Sequence, residues 1–212
     1  MGGPKALLRV GGVPLVQQHV RALVEAGAAE VVVLVRLEIE AAVADLLAGM
    51  PVVLRACSTA SPWETLKEGL HALRVSRGLP LVVTPVDLRP VQGDILGRLL
   101  QALGGEVLAV TPRHLGKGGH PVVVHPSVLD GTRGSLREAL EALGARRLRI
   151  DVDDPHVLED FDTPADVIGV ATPSSSTPSP RACSPGIPAA ASRPECRDPA
   201  RGGFQPGSRS LT

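Results

Sequence analysis

The chain has 212 residues with 22 acidic and 22 basic side chains, so its formal net charge of zero gives no basic footprint for nucleic acid. It has no run of about 18 apolar residues that would predict a transmembrane helix and no secretory signal at its start. Its three Cys do not form a disulfide framework or a metal cluster. We therefore expect a cytoplasmic, monomeric protein with neither a nucleic-acid nor a membrane partner.

Predicted helices and strands alternate along most of the chain. In Pro14–Gly27 apolar residues recur at helical spacing, and His19 lies on that apolar face as a predicted core or half-buried residue. Glu30–Val35 is a continuous β-branched run, typical of a strand buried on both faces of a parallel sheet. Further helices are predicted at Glu38–Leu47, Pro62–Val75, Val91–Leu103 and Gly134–Leu143, and further strands at Pro51–Leu54, Leu79–Thr84, Glu106–Val110, Pro121–Val124 and Leu148–Val152. This order predicts an α/β fold with a mostly parallel sheet covered by helices on both faces.

The end of the alternating region sets a predicted domain boundary. A short last helix is predicted to begin at Asp162 or Thr163, with Pro164 in its first turn. Beyond it, 20 of the 41 residues in 172–212 are Pro, Ser or Gly, so this tail buries too little apolar surface to offset the entropy of ordering it. We expect one domain at 1–171 and a disordered tail at 172–212.

Ligands of open parallel sheets lie at the carboxyl ends of the strands, so residues that follow a strand are the candidates for chemistry. The strand at Leu79–Thr84 runs into Asp87, in a loop that Pro85 and Pro90 stiffen. A carboxylate there suits Mg²⁺, which is typically held by one or two carboxylates plus substrate phosphates. A turn or helix N-terminal Asp is an equally good interpretation. Asp162 is either a helix-capping residue or a second carboxylate on the same metal, and a separation of 75 residues leaves both open.

Two glycine-containing stretches are candidates for phosphate or substrate contacts. Gly2 and Gly3 allow backbone amides to approach a phosphate, and Lys5 supplies a point charge, although the stretch is not a Walker motif. In the predicted loop Arg113–His120, flexible backbone with Lys117 and His120 could line a substrate pocket, or His120 is a solvated turn residue.

Taken in order, the stretches GGPKALL, WETLKEGL, VVTPVDLRP, GKGGHPVVV and LEDFDTPAD resemble the MobA-like nucleotidyltransferases and, within them, the molybdenum cofactor cytidylyltransferase group. The resemblance implies a Rossmann-like three-layer α/β sandwich of the nucleotide-diphospho-sugar transferase type. It also implies Mg²⁺-dependent transfer of a nucleotidyl group to a phosphate acceptor such as molybdopterin, with release of pyrophosphate. The Gly-Pro-Lys start and the Gly-His-Pro motif favour CTP over GTP as the donor. A molybdoenzyme that receives the finished cofactor is a further implied partner.

The same resemblance assigns roles to particular residues. It implies that Lys5 contacts the triphosphate and that Asp87 holds Mg²⁺, the two being the catalytic residues. The nucleotide- and substrate-binding set is Gly2, Gly3, Lys5, Gly119 and His120, and the metal ligands are Asp87 and Asp162.

The sequence also departs from the family pattern. The LAAGxSxR segment and the first strand are absent, and Met1 corresponds to the Met inside the first family motif, so we expect either a start that lies within a longer reading frame or a fragment. Arg89 stands where the family often has Pro. Two alternatives therefore stay open: a degenerate or truncated member that binds a nucleotide or a partner without catalysis, and a sugar-phosphate nucleotidyltransferase.

Overall fold

A computed structural model of the chain describes residues 4–58, 61–74, 78–90, 92–130 and 134–161. Gly2, Gly3, Asp162 with the helix predicted to begin there, and the predicted tail at 172–212 lie outside these residues. The helices of the described part are α1 Leu15–Glu25, α2 Glu40–Leu46, α3 Pro62–Ala72, α4 Gly93–Ala102 and α5 Leu136–Ala142. Its strands are β1 Arg9–Val10, β2 Val13–Pro14, β3 Val32–Arg36, β4 Val53–Cys57, β5 Leu81–Val83, β6 Ala109–His114, β7 Lys117–Gly118, β8 Val122–Val124 and β9 Arg147–Asp151.

Local sequence explains where several helices begin and end. The hydroxyl of Ser61 accepts a hydrogen bond from the backbone N–H of Glu64 at the start of α3, and Ser135 accepts one from Glu138 at the start of α5. Each bond satisfies a backbone donor that has no partner inside its helix. Two residues after α1 the chain adopts a left-handed conformation at Gly27 (φ +85°), which glycine tolerates without strain.

Three hydrogen-bonded sheets lie within the described residues, and the smallest is the antiparallel pair of β1 and β2. β3 and β4 form a parallel pair, and β5, β8, β6 and β7 form a sheet in that order, with β9 on the other edge of β6. β9 is parallel to β6, whereas β8 is antiparallel to both β5 and β6. The α/β class is confirmed, but the strand pairing is mixed rather than mostly parallel. The reason lies in residues 115–121, because a connection this short cannot make the crossover that a parallel partner needs.

Helices cover both faces of the larger sheet. Adjacent residues of β6 point to opposite faces: Ala109 packs with Trp63 of α3 and Leu140 of α5, whereas Val110 packs with Leu99 of α4. The core is almost entirely aliphatic, as the composition requires. This arrangement is a three-layer α/β sandwich.

The predicted loop Arg113–His120 is partly a hairpin, which corrects the predicted end of β6. β6 continues through Pro112 to His114 and then pairs with β7. The turn between them lies at Leu115 and Gly116, both with positive φ. Pro112 lacks an N–H, but its carbonyl accepts a hydrogen bond from the N–H of Gly119 at 2.9 Å, so the strand continues past a residue that usually ends one.

The hairpin of β1 and β2 was not predicted. Its two-residue strands flank Gly11 and Gly12, whose positive φ values of +60° and +81° suit a tight hairpin turn. Strands this short carry no readable alternation. No helix in the part of the chain that the structure describes is long and apolar enough to cross a membrane.

Candidate active site

Asp87 lies in the loop between β5 and α4, beyond the carboxyl end of a strand. Its carboxylate Oδ2 is 3.4 Å from the Nζ of Lys5, which lies in a 3₁₀ turn at Lys5–Leu7. Both side chains are partly exposed, Lys5 by 32% and Asp87 by 39%, so the pair borders solvent. Two residues that are 82 positions apart in sequence therefore meet at the strand end where the fold class predicts a ligand.

A segment near residue 160 holds the backbone of this loop. The N–H of Phe161 donates to the carbonyl of Asp87 at 2.8 Å, and Leu88 forms a bridge with Asp160. Phe161 is 2% exposed, so the contact is anchored in the core. Asp162, the predicted second metal ligand, is the next residue of the chain and lies outside the described residues.

Arg89 joins the same two segments through its side chain. Its Nε donates to Glu159 at 2.8 Å, and its guanidinium lies 5.5 Å from the centre of the Phe161 ring. Arg89 stands where the family often has Pro, and in this structure its side chain joins the Asp87 loop to Glu159 and Phe161. Neither contact has a signal in the sequence, because the partners are 70 or more positions apart.

Gly119 and His120 lie on the connection from β7 to β8, next to the Asp87 loop. The N–H of His120 donates to the carbonyl of Val157 at 2.9 Å. A Cβ atom on Gly119 would overlap that same carbonyl, so the close approach requires glycine at this position.

The imidazole of His120 is largely buried, and burial lowers its pKa. A hydrogen bond with the backbone of Val83, at the end of β5, and the charge of Asp87 oppose that shift. Its Nδ1 is buried without a hydrogen-bond partner among the described residues. His120 is therefore a neutral ring near physiological pH, placed between the end of β5 and Asp87.

His19 contacts the Asp87 loop from α1. It is 6% exposed on the buried face of α1, as predicted for a core or half-buried residue, and its Nε2 is 2.9 Å from the carbonyl oxygen of Leu88. Burial lowers the pKa of His19. Helical periodicity identified the face on which His19 lies, but not the partner that it meets there.

Cys57 does not have the properties of a nucleophile. Its thiol is buried at the end of β4, and burial together with a hydrogen bond to Glu68 raises its pKa to about 11. A protonated thiol is a weak nucleophile. Within the described residues there is also no cluster of three or more His, Cys, Asp or Glu that could hold a metal.

The structure thus brings Lys5, Asp87, Gly119 and His120 to one end of the sheet, and the roles assigned to them stay predictions. A three-layer α/β fold with polar residues at the carboxyl ends of its strands is the general arrangement of nucleotide-binding α/β proteins. The family model of the MobA-like NTP transferase domain matches residues 1–155. The chain therefore belongs to the MobA-like NTP transferase family, which confirms the family predicted from its motifs.

Solved structures share this fold at low sequence identity. A nucleotidyl transferase from Methanothermobacter thermautotroptrophicus (Mth528) has a TM-score of 0.65 and 20% identity, covering 78% of this chain and 82% of its own. Rv0371c from Mycobacterium tuberculosis H37Rv has a TM-score of 0.65 and 19% identity over 80% and 88%, and it has also been solved in complex with manganese. The 2-C-methyl-D-erythritol 4-phosphate cytidylyltransferase of Thermus thermophilus has a TM-score of 0.61 and 19% identity over 80% and 92%. No curated protein sequence matches the chain significantly.

Proposed function

We propose that the chain is a Mg²⁺-dependent nucleotidyltransferase that transfers CMP from CTP to a phosphate acceptor such as molybdopterin and releases pyrophosphate. One observation carries the proposal: in a member of the MobA-like family, Lys5 and Asp87 meet at 3.4 Å at the carboxyl end of a strand. A carboxylate can bind the metal of a metal–triphosphate complex, and a neighbouring ammonium group can bind its phosphates.

The residues present fit a hard divalent cation. Asp87 offers carboxylate oxygens at a partly exposed position, and Asp162 follows Phe161, whose N–H is bonded to the carbonyl of Asp87. Mg²⁺ is commonly held by one or two carboxylates while substrate phosphates and water complete its coordination, so a larger ligand cluster is not needed. When bound, the ion would neutralise charge on the triphosphate.

Nucleotidyl transfer needs positioning and charge neutralisation more than acid–base chemistry. A phosphate oxygen of the acceptor forms a bond to the α-phosphorus of CTP, and the bond from that phosphorus to the pyrophosphate oxygen breaks. The attacking oxygen is already anionic, so no strong base is required. In this scheme Lys5 contacts the triphosphate, and Gly119 with the neutral ring of His120 lies near the acceptor.

The test is pyrophosphate release with CTP or GTP, Mg²⁺ and molybdopterin. We expect release with CTP that requires both metal and acceptor and is lost in Asp87→Ala. GTP-dependent release would change the donor assigned here. Full activity of Asp87→Ala would show that the metal assignment is wrong.

A sugar-phosphate acceptor is the second candidate. It is favoured by the fold shared with a cytidylyltransferase whose name specifies methylerythritol phosphate, although fold alone does not determine the acceptor. A panel of sugar phosphates run beside molybdopterin separates the two. Nucleotide binding measured by calorimetry, without turnover for any acceptor, would instead support the non-catalytic alternative.

A further inference from the structure

The loop that carries Asp87 is held at two consecutive carbonyl groups by two different parts of the chain. The carbonyl of Asp87 accepts from the N–H of Phe161 at 2.8 Å, and the carbonyl of Leu88 lies 2.9 Å from Nε2 of His19. The residue that bears the candidate metal ligand is therefore fixed both from its own carbonyl and from the next one.

The buried position of His19 is unfavourable for a polar side chain that lacks a hydrogen bond. It is 6% exposed on α1 and lies between core residues Val16 and Val20. Burying a polar group without a hydrogen bond is unfavourable, whereas an aliphatic residue would gain from burial there. Packing alone therefore does not explain a histidine at this position. The hydrogen bond from its imidazole to the carbonyl of Leu88 does.

The chemistry of that contact fixes its direction. A carbonyl oxygen only accepts, so Nε2 of His19 carries the hydrogen and donates it to Leu88.

We propose that His19 is a positioning residue: its hydrogen bond from α1 to the carbonyl of Leu88 holds the Asp87 carboxylate where a divalent cation is bound. The consequence for metal binding rests on the proposed function of Asp87, whereas the consequence for the loop does not. His19 itself touches neither metal nor nucleotide.

Three substitutions separate the hydrogen bond from the packing. In His19→Gln the amide nitrogen occupies the place of Nε2 and keeps a donor for Leu88. In His19→Asn the amide ends one atom short, and His19→Leu keeps the apolar volume but has no donor. Val20→Ala, a cavity on the same face of the same helix, is the matched control for a loss of packing alone.

The first measurement is hydrogen exchange at the amide of Phe161, which reports the loop without requiring any activity. After correction for global stability, we expect exchange to accelerate about tenfold in His19→Asn and His19→Leu, since a buried carbonyl is left unsatisfied. His19→Gln and Val20→Ala should stay within about twofold of wild type. The second measurement is Mn²⁺ binding in the presence of CTP, followed by the spin resonance of free Mn²⁺, where we expect the same order and a similar weakening.

Two results would overturn the proposal. One is wild-type exchange in all three His19 variants. The other is equal acceleration in His19→Gln, His19→Leu and Val20→Ala, which would reduce His19 to a packing residue. If wild-type protein binds no Mn²⁺ with CTP, the proposed function fails, while exchange at Phe161 still decides whether His19 holds the loop.

Discussion

Two carboxylate–cation pairs lie at the same end of the sheet. They differ in the number and length of the hydrogen bonds that join the two charged groups. Arg113 donates through Nε and Nη2 to both oxygens of Asp151, each at 2.7 Å. That bidentate contact lowers the pKa of Asp151 and raises that of Arg113. Lys5, in contrast, reaches one oxygen of Asp87 at 3.4 Å.

The backbones of Asp151 and Asp87 are both held by hydrogen bonds, but in different kinds of element. Asp151 ends β9, an edge strand, and its side chain is 69% exposed. Asp87 lies in a loop whose carbonyl groups are held by Phe161 and His19. The backbone of Asp151 is held as well, by the β6–β9 ladder and by Arg98, whose Nη2 donates to the Asp151 carbonyl at 3.2 Å. The two carboxylates therefore differ in their ion pairs and in lying on a strand or in a loop. A loosely paired charge on a fixed loop is the arrangement that a ligand can use, because pairing at ideal geometry would have to be broken first.

Matched substitutions of the two carboxylates give the largest expected difference. Asp87→Asn removes the charge assigned to the metal, and we expect pyrophosphate release to fall about 10²–10³-fold, the usual effect of losing one electrostatic group of an active site. Asp151→Asn should leave the rate within about twofold, since exposed pairs contribute little. Equal losses in the two variants, measured at saturating Mg²⁺ and CTP, would remove the distinction.

Lys5 should affect the nucleotide more than the metal. In Lys5→Met we expect kcat/KM for CTP to fall about 10- to 100-fold, the magnitude of a lost hydrogen bond to a charged group. The Mg²⁺ concentration for half-maximal rate should not rise, because Asp87 loses a competing cation. Lys67→Met, in α3, is the control with the same change of side chain. A higher Mg²⁺ requirement in Lys5→Met would contradict the assignment.

Gly118 and Gly119 are adjacent but should respond differently to an added methyl group. In Gly119→Ala the Cβ atom meets the carbonyl of Val157, while the Gly119 N–H is held by Pro112, so the backbone has little room to shift. We expect the free energy of unfolding to fall by about 1–3 kcal/mol, as for overpacked sites. In Gly118→Ala the nearest atom is Nη2 of Arg147 at 3.8 Å, an ordinary contact, and urea unfolding should change by less than about 0.5 kcal/mol. Similar midpoints for both variants would contradict the close approach.

The fold could be predicted wherever one periodicity held over a whole element. The apolar spacing of α1 and the β-branched run of β3 both correspond to observed elements. The strand predicted at Glu106–Val110 ends too early, because the pairing that extends β6 to His114 is made with β7 and β9, which lie later in the chain. The strand β8 was predicted, but its antiparallel direction was missed because that direction depends on the β6–β7 hairpin.

The site could be predicted only where position along a strand was sufficient. Asp87 was selected because it follows β5, and Lys5 because nearby glycines and a point charge suit a phosphate. The contacts that hold the site were not found. Arg89 with Glu159, and His19 with Leu88, join residues about 70 positions apart, and no local pattern encodes such a pairing. Sequence rules identify groups that could act, whereas the groups that fix them in place depend on the packed structure.

The smallest expected effect is on the pH dependence of stability, to which the histidines at the Asp87 loop and the Arg113–Asp151 pair contribute in different pH ranges. Burial lowers the pKa of His19 and of His120 below the ordinary value of 6.5. Below that value the unfolded chain takes up protons that the folded chain does not, so stability is complete above about pH 7 and falls as the pH drops towards 5. The slope is at most about 1.4 kcal/mol per pH unit for each histidine.

Asp151 does not contribute to the change in stability between pH 7 and pH 5. Its pKa lies below the ordinary 3.8, so its stabilisation is lost only at lower pH. Urea unfolding at pH 7 and pH 5 should therefore show a smaller difference in His19→Gln than in wild type. The control is His71→Gln, which replaces an exposed histidine of α3 and should keep the wild-type difference. If stability did not fall between pH 7 and pH 5 in the wild type, the imidazoles around Asp87 would have to take up protons while folded. The neutral ring assigned to His120 would then be wrong.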